Sequence, residues 1–411
     1  MTDVARLSTL RYGLHTNAFT FSGTPTLVPL RLTDDGASFL PRNRAPIARP
    51  LRSLSGRRYS HVRGVQDLAD ISVATEMRGV NANTGAAVTD WEAKMEQGYL
   101  LASLFGAVAP QTSGVAPTVA ASGHTPASGI VAVVGTTTAN GQVIAFASSA
   151  GLQMGRIASG GGTTTLTLDH PYSGTPTTGA TVFRNAVYTV ADAVTHHVHA
   201  MFAAEGEDWR RDYFGCMPMS LALALPNAGL VGMTSVFSPT SFSDVAEANP
   251  AHAEPVSGNP IVVDACRMWF AGNDVIARDL TINYSAATTP RVASTRTNGR
   301  VGGVSGTGDG KTFTMEFSIY VGDANLAGEL QDGSSGSPTL LNDLIGDSDA
   351  AGDVSVTRKV SLQVGTEIGA VMYAYMPEAD CVVTTQHVDG LTVARVVATG
   401  TGALPAILSV G

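Results

Sequence analysis

A stretch of alternating residues from Met219 to Phe237 constrains this chain more than any other feature. Larger apolar side chains occupy every second position at Met219, Leu221, Leu223 and Leu225, while Ser220, Ala222 and Ala224 lie between them. A period of two predicts a β-strand with one bulky face and one small face. The bulky face is expected to enter a core, and the small face is expected to lie against something close.

The alternating strand is followed by a turn and a second strand. Pro226-Asn227-Ala228-Gly229 combines a residue that presets φ with residues that tolerate positive φ. Leu230 to Phe237 then alternates again, so the unit is predicted to be a hairpin. The predicted core positions of this hairpin are Met219, Leu221, Leu223, Leu225, Leu230 and Val236.

Short motifs in and around this hairpin resemble the major tail tube proteins of long-tailed bacteriophages. The first is the opening Gly215-Cys216 with Pro218 and Ser220-Leu221. The second is a strand at 68–79 followed by a helix over 89–106 that ends in Leu104-Phe105-Gly106, with Thr89 and Glu92 as its capping box. The third is Met372-Tyr-Ala-Tyr-Met-Pro377 near the C-terminal end of the sequence. The resemblance covers roughly 60–109 and 190–411.

The predicted fold is all-β, a tail-tube-like sandwich or barrel with one packed α-helix and a small inserted all-β domain. Alternating segments recur at 261–270, 280–284, 311–320, 354–364 and 370–376, and a short second helix is predicted at 338–345. The discontinuous main domain comprises 1–109 and 190–411. The insertion at 110–189 is rich in Ala, Thr, Ser, Pro and Gly, with predicted strands at 130–134, 143–147, 163–168 and 181–188. We expect it on the exterior of a tube.

The charge of the chain is unevenly distributed. Between Asp35 and Asp67 there is no acidic residue, and seven arginines fall inside that interval: Arg42, Arg44, Arg49, Arg52, Arg57, Arg58 and Arg63. The net charge is −9, and without these seven the chain carries 18 basic against 34 acidic residues. A basic arm at about 36–66 on an acidic body is self-complementary if copies stack, so we predict inter-ring docking. A solvated loop and a nucleic-acid-binding arm are the alternatives.

Composition and length favour a structural role inside a cell. Only 14% of the residues are charged, against 44% hydrophobic, which suits a surface that partners cover. Three scattered cysteines, Cys216, Cys266 and Cys381, predict buried thiols in a reducing compartment. With no signal-like N-terminal segment and no long apolar run, we expect a soluble protein made in the cytoplasm, with no membrane partner.

Motifs that suggest chemistry are weak. Gly306 to Thr312 lacks the first glycine of a phosphate loop, since Ser305 occupies that position, and it precedes a predicted strand. His196, His197 and His199 have no Cys or carboxylate nearby, so surface histidines are the simpler interpretation. The acidic run at Asp343, Asp347, Asp349 and Asp353 lacks the spacing of a calcium loop. We therefore predict no enzyme activity, no cofactor and no metal.

Tail tube resemblance implies a defined set of partners and a location. It implies six subunits to a ring, stacked rings, and β-hairpins closing a barrel around a channel through which double-stranded DNA is ejected. A tape-measure protein and tail terminator or distal tail proteins are the implied partners, and the virion tail, assembled in the bacterial cytoplasm, is the implied location. Alternatives are another virion component, such as a capsid or tail terminator protein, or a carbohydrate-binding or adhesin-like module.

Overall fold

A computed structural model of the chain describes residues 9–14, 27–33, 37–38, 43–53, 56–67, 70–80, 95–105, 115–190, 200–205, 210–245, 258–263, 266–270, 273–286, 288–292, 300–305, 311–320, 358–388, 391–402, 404 and 406–411. These residues form antiparallel sheets with one α-helix, so the protein is all-β, as predicted. Among them no helix has the length and apolar character to cross a bilayer.

The first half of the chain contributes 13 strands and the helix. The strands are β1 Thr9–Leu14, β2 Val28–Leu30, β3 Ala37–Ser38, β4 Asn43–Ser53, β5 Gly56–Asp67, β6 Ile71–Glu76, β7 Thr118–Val119, β8 Ile130–Val134, β9 Val143–Ser148, β10 Gly151–Ser159, β11 Thr165–Leu168, β12 Phe183–Arg184 and β13 Ala186–Val190. The helix is α1, Gly98–Phe105, and a 3-10 turn covers Pro126–Ser128.

The second half contributes 14 further strands. They are β14 Ala200–Glu205, β15 Arg210–Leu225, β16 Gly232–Ser238, β17 Ser241–Val245, β18 Cys266–Phe270, β19 Asn273–Val275, β20 Ala277–Ser285, β21 Thr288–Val292, β22 Arg300–Ser305, β23 Thr312–Tyr320, β24 Arg358–Glu367, β25 Ala370–Val388, β26 Leu391–Gly400 and β27 Ala406–Val410.

Strand β15 is the hub of the large sheet. Its first half pairs with β14 and β17, and its second half pairs with β16 and β20. The change of neighbours occurs at a register shift between Pro218 and Ser220, close to Gly215, whose φ of 58° suits glycine. Because a β-bulge bends its strand, β15 serves two parts of a curled sheet. Strand β25 is likewise shared, since its first half pairs with β24 and β27 and its second half with β26.

The predicted hairpin is present, but part of its predicted core face is wrong. Leu221, Leu223 and Leu225 are buried, as expected. Met219 is only partly buried, because it is the extra residue of the bulge. Residues directly opposite one another share a face, and Leu223 lies opposite Met233.

This register corrects the two β16 positions of the prediction. The odd-numbered residues of the second arm (Val231, Met233, Ser235 and Phe237) are buried with the leucines. Val236, opposite Ser220, therefore lies on the small face, and Leu230 is 38% exposed at the turn. The predicted alternation of this second arm is therefore present but shifted by one residue, and a shift of one residue moves each side chain to the opposite face of the sheet.

Helix α1 is shorter and more buried than an amphipathic surface helix. It begins at Gly98, and every residue except Tyr99 is buried. The curled sheet surrounds it: the Tyr284 hydroxyl donates to the Leu104 carbonyl at 3.0 Å, and the Phe105 ring packs on the rings of Tyr284 and Tyr188. The predicted capping box at Thr89 and Glu92, and the helix at 338–345, lie outside the described residues.

Residues 118–184 form a second sheet, in the order β12-β9-β10-β11-β8-β7, with its own apolar cluster. The predicted strand at 181–188 is two strands in the structure. Phe183–Arg184 pairs with β9, whereas Ala186–Val190 pairs with β27 of the large sheet. The chain therefore passes from the inserted sheet to the large sheet at Asn185, and one alternating run supplies a strand to each sheet.

Further strand pairings complete the sheets. Strand β17 pairs with Arg210–Phe214 of β15. Strands β21 and β22 pair with each other as a separate hairpin. Strand β23 agrees with its prediction, with Phe313, Met315, Phe317 and Ile319 buried.

Candidate assembly surfaces

The small-residue face of the central hairpin is exposed. Ala222, Ala224 and Thr234 are exposed, and Ser220, Gly232 and Val236 are partly buried. No larger side chain of the described hairpin strands covers this face. The sequence predicted that the small face lies against a close neighbour. In the single chain this face is open to solvent.

The same face continues across neighbouring strands. Strand register places Ala74, Thr234, Ala222, Asn283, Thr314 and Thr399 in one row across six strands. The next row is Glu76, Gly232, Ala224, Thr281, Glu316 and Val397. We call this surface the small face. Nine of these twelve residues are Ala, Gly, Thr or Asn, and the other three are Glu76, Glu316 and Val397.

Charges on the small face neutralise one another. Arg395 Nη2 lies 2.8 Å from Glu316 Oε2, and Arg278 Nε lies 2.6 Å from Asp279 Oδ2. Glu76 Oε2 is 3.2 Å from Arg78 Nη2. Asp380, opposite Thr399, adds an exposed carboxylate. The described part of this surface is therefore close to neutral and slightly acidic.

The predicted basic arm is a two-stranded hairpin. β4 and β5 pair only with each other in the described structure, and Ser53 opposite Gly56 leaves a two-residue connection. The backbone of six of the seven predicted docking arginines lies in these strands: Arg44, Arg49, Arg52, Arg57, Arg58 and Arg63. Arg42 lies outside the described residues. The arm is thus an extended two-stranded ribbon.

Two prolines block one edge of this hairpin. The pair that closes a two-residue loop exchanges both backbone hydrogen bonds, so pairs alternate outward from Ser53 and Gly56. Pro50 opposite Tyr59 and Pro46 opposite Arg63 then occupy positions whose nitrogen faces away from β5. Because proline has no N–H, a further strand could not pair fully along β4. The outer edge of β4 is therefore unsuited to sheet extension.

The inserted sheet is joined to the large sheet by a buried polar contact. The Gln363 side chain accepts from the Met154 N–H at 3.0 Å and donates to the Leu152 carbonyl at 3.0 Å, acting like a neighbouring strand on β10. Arg267 Nη1 donates to Gln153 Oε1 at 2.8 Å. An apolar cluster beside them joins Leu152 and Met154 to residues of the large sheet, including Val371, Tyr373, Tyr375 and Ile407.

A histidine lies in this junction. The His170 ring stacks on Trp269 at 3.9 Å between centroids, and its Nδ1 is 2.7 Å from the Pro171 carbonyl oxygen. Burial lowers the pKa of His170 to about 4. A nearby ion pair joins Arg156 Nη1 to Asp169 Oδ2 at 3.2 Å, and Arg156 also lies over the Tyr375 ring.

We expect the protein to lose stability in acid through His170. Its folded-state pKa is depressed, so the stabilisation is complete above the unfolded value of about 6.5 and is lost as pH falls through about 4. Such a shift corresponds to about 3 kcal/mol. The melting temperature of His170→Gln should fall less between pH 7 and pH 4.5 than the melting temperature of the wild type. A His124→Gln control should retain the full acid loss, and equal slopes for all three proteins would contradict the assignment.

The motifs set aside in the sequence gain no support as reactive sites. Residues 306–310, the histidines at 196, 197 and 199, and the acidic run at 343–353 lie outside the described residues, while 312–320 is a strand. Within the described ranges no group of three or more His, Cys, Asp or Glu could hold a metal ion. Cys216, Cys266 and Cys381 are free thiols, and burial raises the pKa of each.

Comparison with known proteins leaves these surfaces as the basis for interpretation. No protein-family model matches the chain, and no curated protein matches it in sequence.

Proposed function

We propose that this protein is a structural subunit of a phage-type tail tube, forming rings, six-fold by resemblance, that stack around a DNA channel. The observation that carries the proposal is the small face, which spans six antiparallel strands. The described rows of this surface carry mostly short side chains, and Arg278 and Arg395 on it are ion-paired with carboxylates. Two of the stretches that resemble the tail tube family, at 215–221 and 68–79, overlap strands β15 and β6 of this surface.

Electrostatics suit a passive conduit. DNA carries dense negative charge, so a wall of free arginines and lysines would bind phosphates through counterion release. Two arginines of the small face, Arg278 and Arg395, are instead paired with carboxylates. A neutral or slightly acidic wall lets the duplex slide without being held.

Open strand edges support closure of a ring. In the described structure the second half of β25, from Asp380 to Val388, pairs with β26 on one side. Val382 on that half is 64% exposed. At the far side of the same sheet, the described residues that bond to the outer edge of β6 are the two-residue β3 and Thr33, whose N–H donates to the Ala74 carbonyl at 3.2 Å. Joining the β25 edge of one subunit to the β6 edge of the next would continue the sheet around a channel.

Carbohydrate binding has less support. An aromatic platform for sugar rings needs exposed Tyr or Trp side chains. Tyr172 and Tyr188, the only Tyr or Trp residues between 110 and 190, are both buried. The inserted sheet is therefore proposed as a covering of the tube exterior, in contact with the large sheet through Gln363.

Electron microscopy tests the proposal directly. Negatively stained purified protein should show rings or tubes with a central channel, depending on concentration. Neutralising the basic hairpin with Arg52, Arg57, Arg58 and Arg63 changed to Ser should give folded subunits that stack poorly. A matched variant with the same four arginines changed to Lys should stack normally, and wild-type tubes should form more slowly at high salt, since the Debye length falls to about 3 Å at 1 M.

Each outcome of that comparison has a definite meaning. A monodisperse monomer at every concentration and salt condition would overturn the tube proposal. Normal polymerisation of the serine variant across low and high salt would overturn only the docking role of the arm. Normal tubes combined with lost retention of DNA on a filter would assign the arm to nucleic acid instead.

A further inference from the structure

Strand register defines two ends of the large sheet. At one end lies the turn after Leu225, together with the start of β20, because Leu225 is opposite Leu280. At the other end Ser285 lies opposite Thr312 and Ile71 opposite Phe237. We call these the turn end and the hairpin end. The nine residues of β23 separate them by about 27 Å, at roughly 3.3 Å per residue.

Both separate hairpins of the molecule leave from the hairpin end. β4–β5 joins the sheet through residues 68–70, immediately before Ile71. β21–β22 interrupts the chain between Ser285 and Thr312. It leaves the sheet because β14 pairs with the first half of β15, so β20 has no room to continue along that strand.

The second hairpin is basic, like the first. No acidic residue occurs between Asp279 and Asp309, and the paired strands carry Arg291 and Arg300. A two-stranded ribbon without a third strand is marginally stable in water. Two basic ribbons at one end of a chain whose remainder is acidic are therefore expected to be completed by an acidic partner surface.

The turn end has the complementary character. Ile276 is 65% exposed, and Leu230 and Val262, which form a β-bridge, are exposed by 38% and 37%. Glu367 is exposed beside them in the β24–β25 turn. The three loops at 226–231, 258–263 and 365–370 contain no Lys or Arg. These three loops are apolar with one carboxylate, and the nearby Arg278 and Arg78 are paired with Asp279 and Glu76.

A shallow pocket of about 250 Å³ opens at the turn end. Its lining includes Asn259, Pro260, Val262, Thr366 and Glu367. Small-molecule sites usually measure about 300–1,000 Å³, so this pocket is suited to a single long side chain rather than to a ligand of that size. An apolar wall with a carboxylate suits the stem and head of a basic side chain.

Backbone segments beside the pocket are in direct contact with one another. A Cβ on Gly79 would lie 2.0 Å from the Gly369 carbonyl oxygen, and a Cβ on Gly258 would lie 2.2 Å from the Gly79 carbonyl oxygen. Arg78 Nη1 also donates to the Gly258 carbonyl at 2.9 Å. Three chain segments are thereby fixed together, so the pocket exists before any partner arrives.

We propose that the β21–β22 hairpin of one copy docks on the turn end of a second copy, with a basic side chain in the Glu367 pocket. The contact would cover Leu230, Val262 and Ile276 and would complete the two-stranded ribbon. It is heterologous, because the two surfaces lie at opposite ends of the sheet, so each copy offers one of each and stacking continues. This inference rests on the proposed stacking of copies but not on ring closure or on a DNA channel.

Mixing two complementary variants tests the proposal. A hairpin variant carries Arg291→Ser and Arg300→Ser, and a turn-end variant carries Val262→Arg and Glu367→Arg. Each retains one intact surface, so neither should stack alone in sedimentation velocity at low salt. Their mixture should form assemblies with a single new interface, two copies or two rings, and nothing longer. A control with Arg291→Lys and Arg300→Lys should stack like the wild type.

The contrary results are separable. Wild-type-like stacking of both serine and arginine variants would overturn this interface while leaving the tube proposal intact. Long assemblies from the hairpin variant alone, with DNA retention lost, would assign β21–β22 to nucleic acid. A wild-type chain that never self-associates would overturn this interface together with the tube proposal.

Discussion

Leu223→Asp is expected to prevent folding altogether. Leu223 is buried on the hub strand, opposite Met233 on one side and Ile282 on the other. A carboxylate there would have no polar partner among the described neighbours and would cost several kcal/mol, roughly half or more of a typical total stability. Expression should yield insoluble protein or a soluble chain without a cooperative melting transition.

The adjacent residue provides a matched control. Ala222 is exposed on the small face, opposite Thr234 and Asn283. Ala222→Asp should therefore fold with a melting temperature near that of the wild type, because the same side chain reaches solvent. Ala222→Trp should also fold but should hinder assembly or narrow the channel. A cooperatively melting Leu223→Asp protein would show that this face is not core.

Local patterns predicted the central hairpin and strand β23, because alternation of apolar and polar residues along one strand is enough to indicate that it is a strand with one face toward the core. They did not predict the phase of β16. Leu230 is as apolar as Val231, and only the register against β15 decides which of them is buried. An isolated strand contains no information on which partner residue will stand opposite, so the phase is a tertiary property.

The helix and the inserted sheet show a related limit. Seven of the eight residues of α1 are buried, since the sheet curls around it, although the sequence suggested one apolar face. The run from Thr181 to Tyr188 looked like one strand, yet Asn185 separates residues that pair with β9 from residues that pair with β27. The strand propensity of the residues cannot distinguish one continuous strand from two consecutive strands that pair in different sheets.

Among the candidate surfaces, the sequence predicted the small face and the basic arm but not the pocket. Ala222 and Ala224 were recognisable because they alternate with leucines. The pocket lies between loops at 258–263 and 365–370, next to Gly79, Gly258 and Gly369, which are far apart in the chain and become neighbours only through long-range pairing. No signal in the sequence relates these three glycines.

Arg78→Ala is expected to be the most destabilising single change outside the apolar core. The Glu96 side chain has no exposed surface, and its Oε1 accepts from the Arg31 N–H at 2.6 Å. Its Oε2 accepts no hydrogen bond from the described residues and is opposed by Arg78 Nε at 3.5 Å. Removing the arginine would take away one of the two cations that stabilise this buried carboxylate, the other being Arg31, and breaking a buried ion pair costs up to about 3–5 kcal/mol. Urea unfolding at pH 7.5 should show this loss.

The pH dependence of the Arg78→Ala deficit separates electrostatics from lost packing. Burial raises the pKa of Glu96, Arg78 opposes that rise, and the variant should raise it further. A raised folded-state pKa gives stability that is complete below the unfolded value of about 4.5 and is lost as pH rises through the folded value. The difference in free energy of unfolding between Arg78→Ala and the wild type should therefore shrink from pH 7.5 toward pH 4.5. The His170 contribution is the same in both proteins and cancels.

A second substitution, Glu96→Gln, provides the control. Adding it to Arg78→Ala should remove most of the difference at pH 7.5. A difference that is constant with pH and unchanged by Glu96→Gln would mean that Arg78 acts through packing.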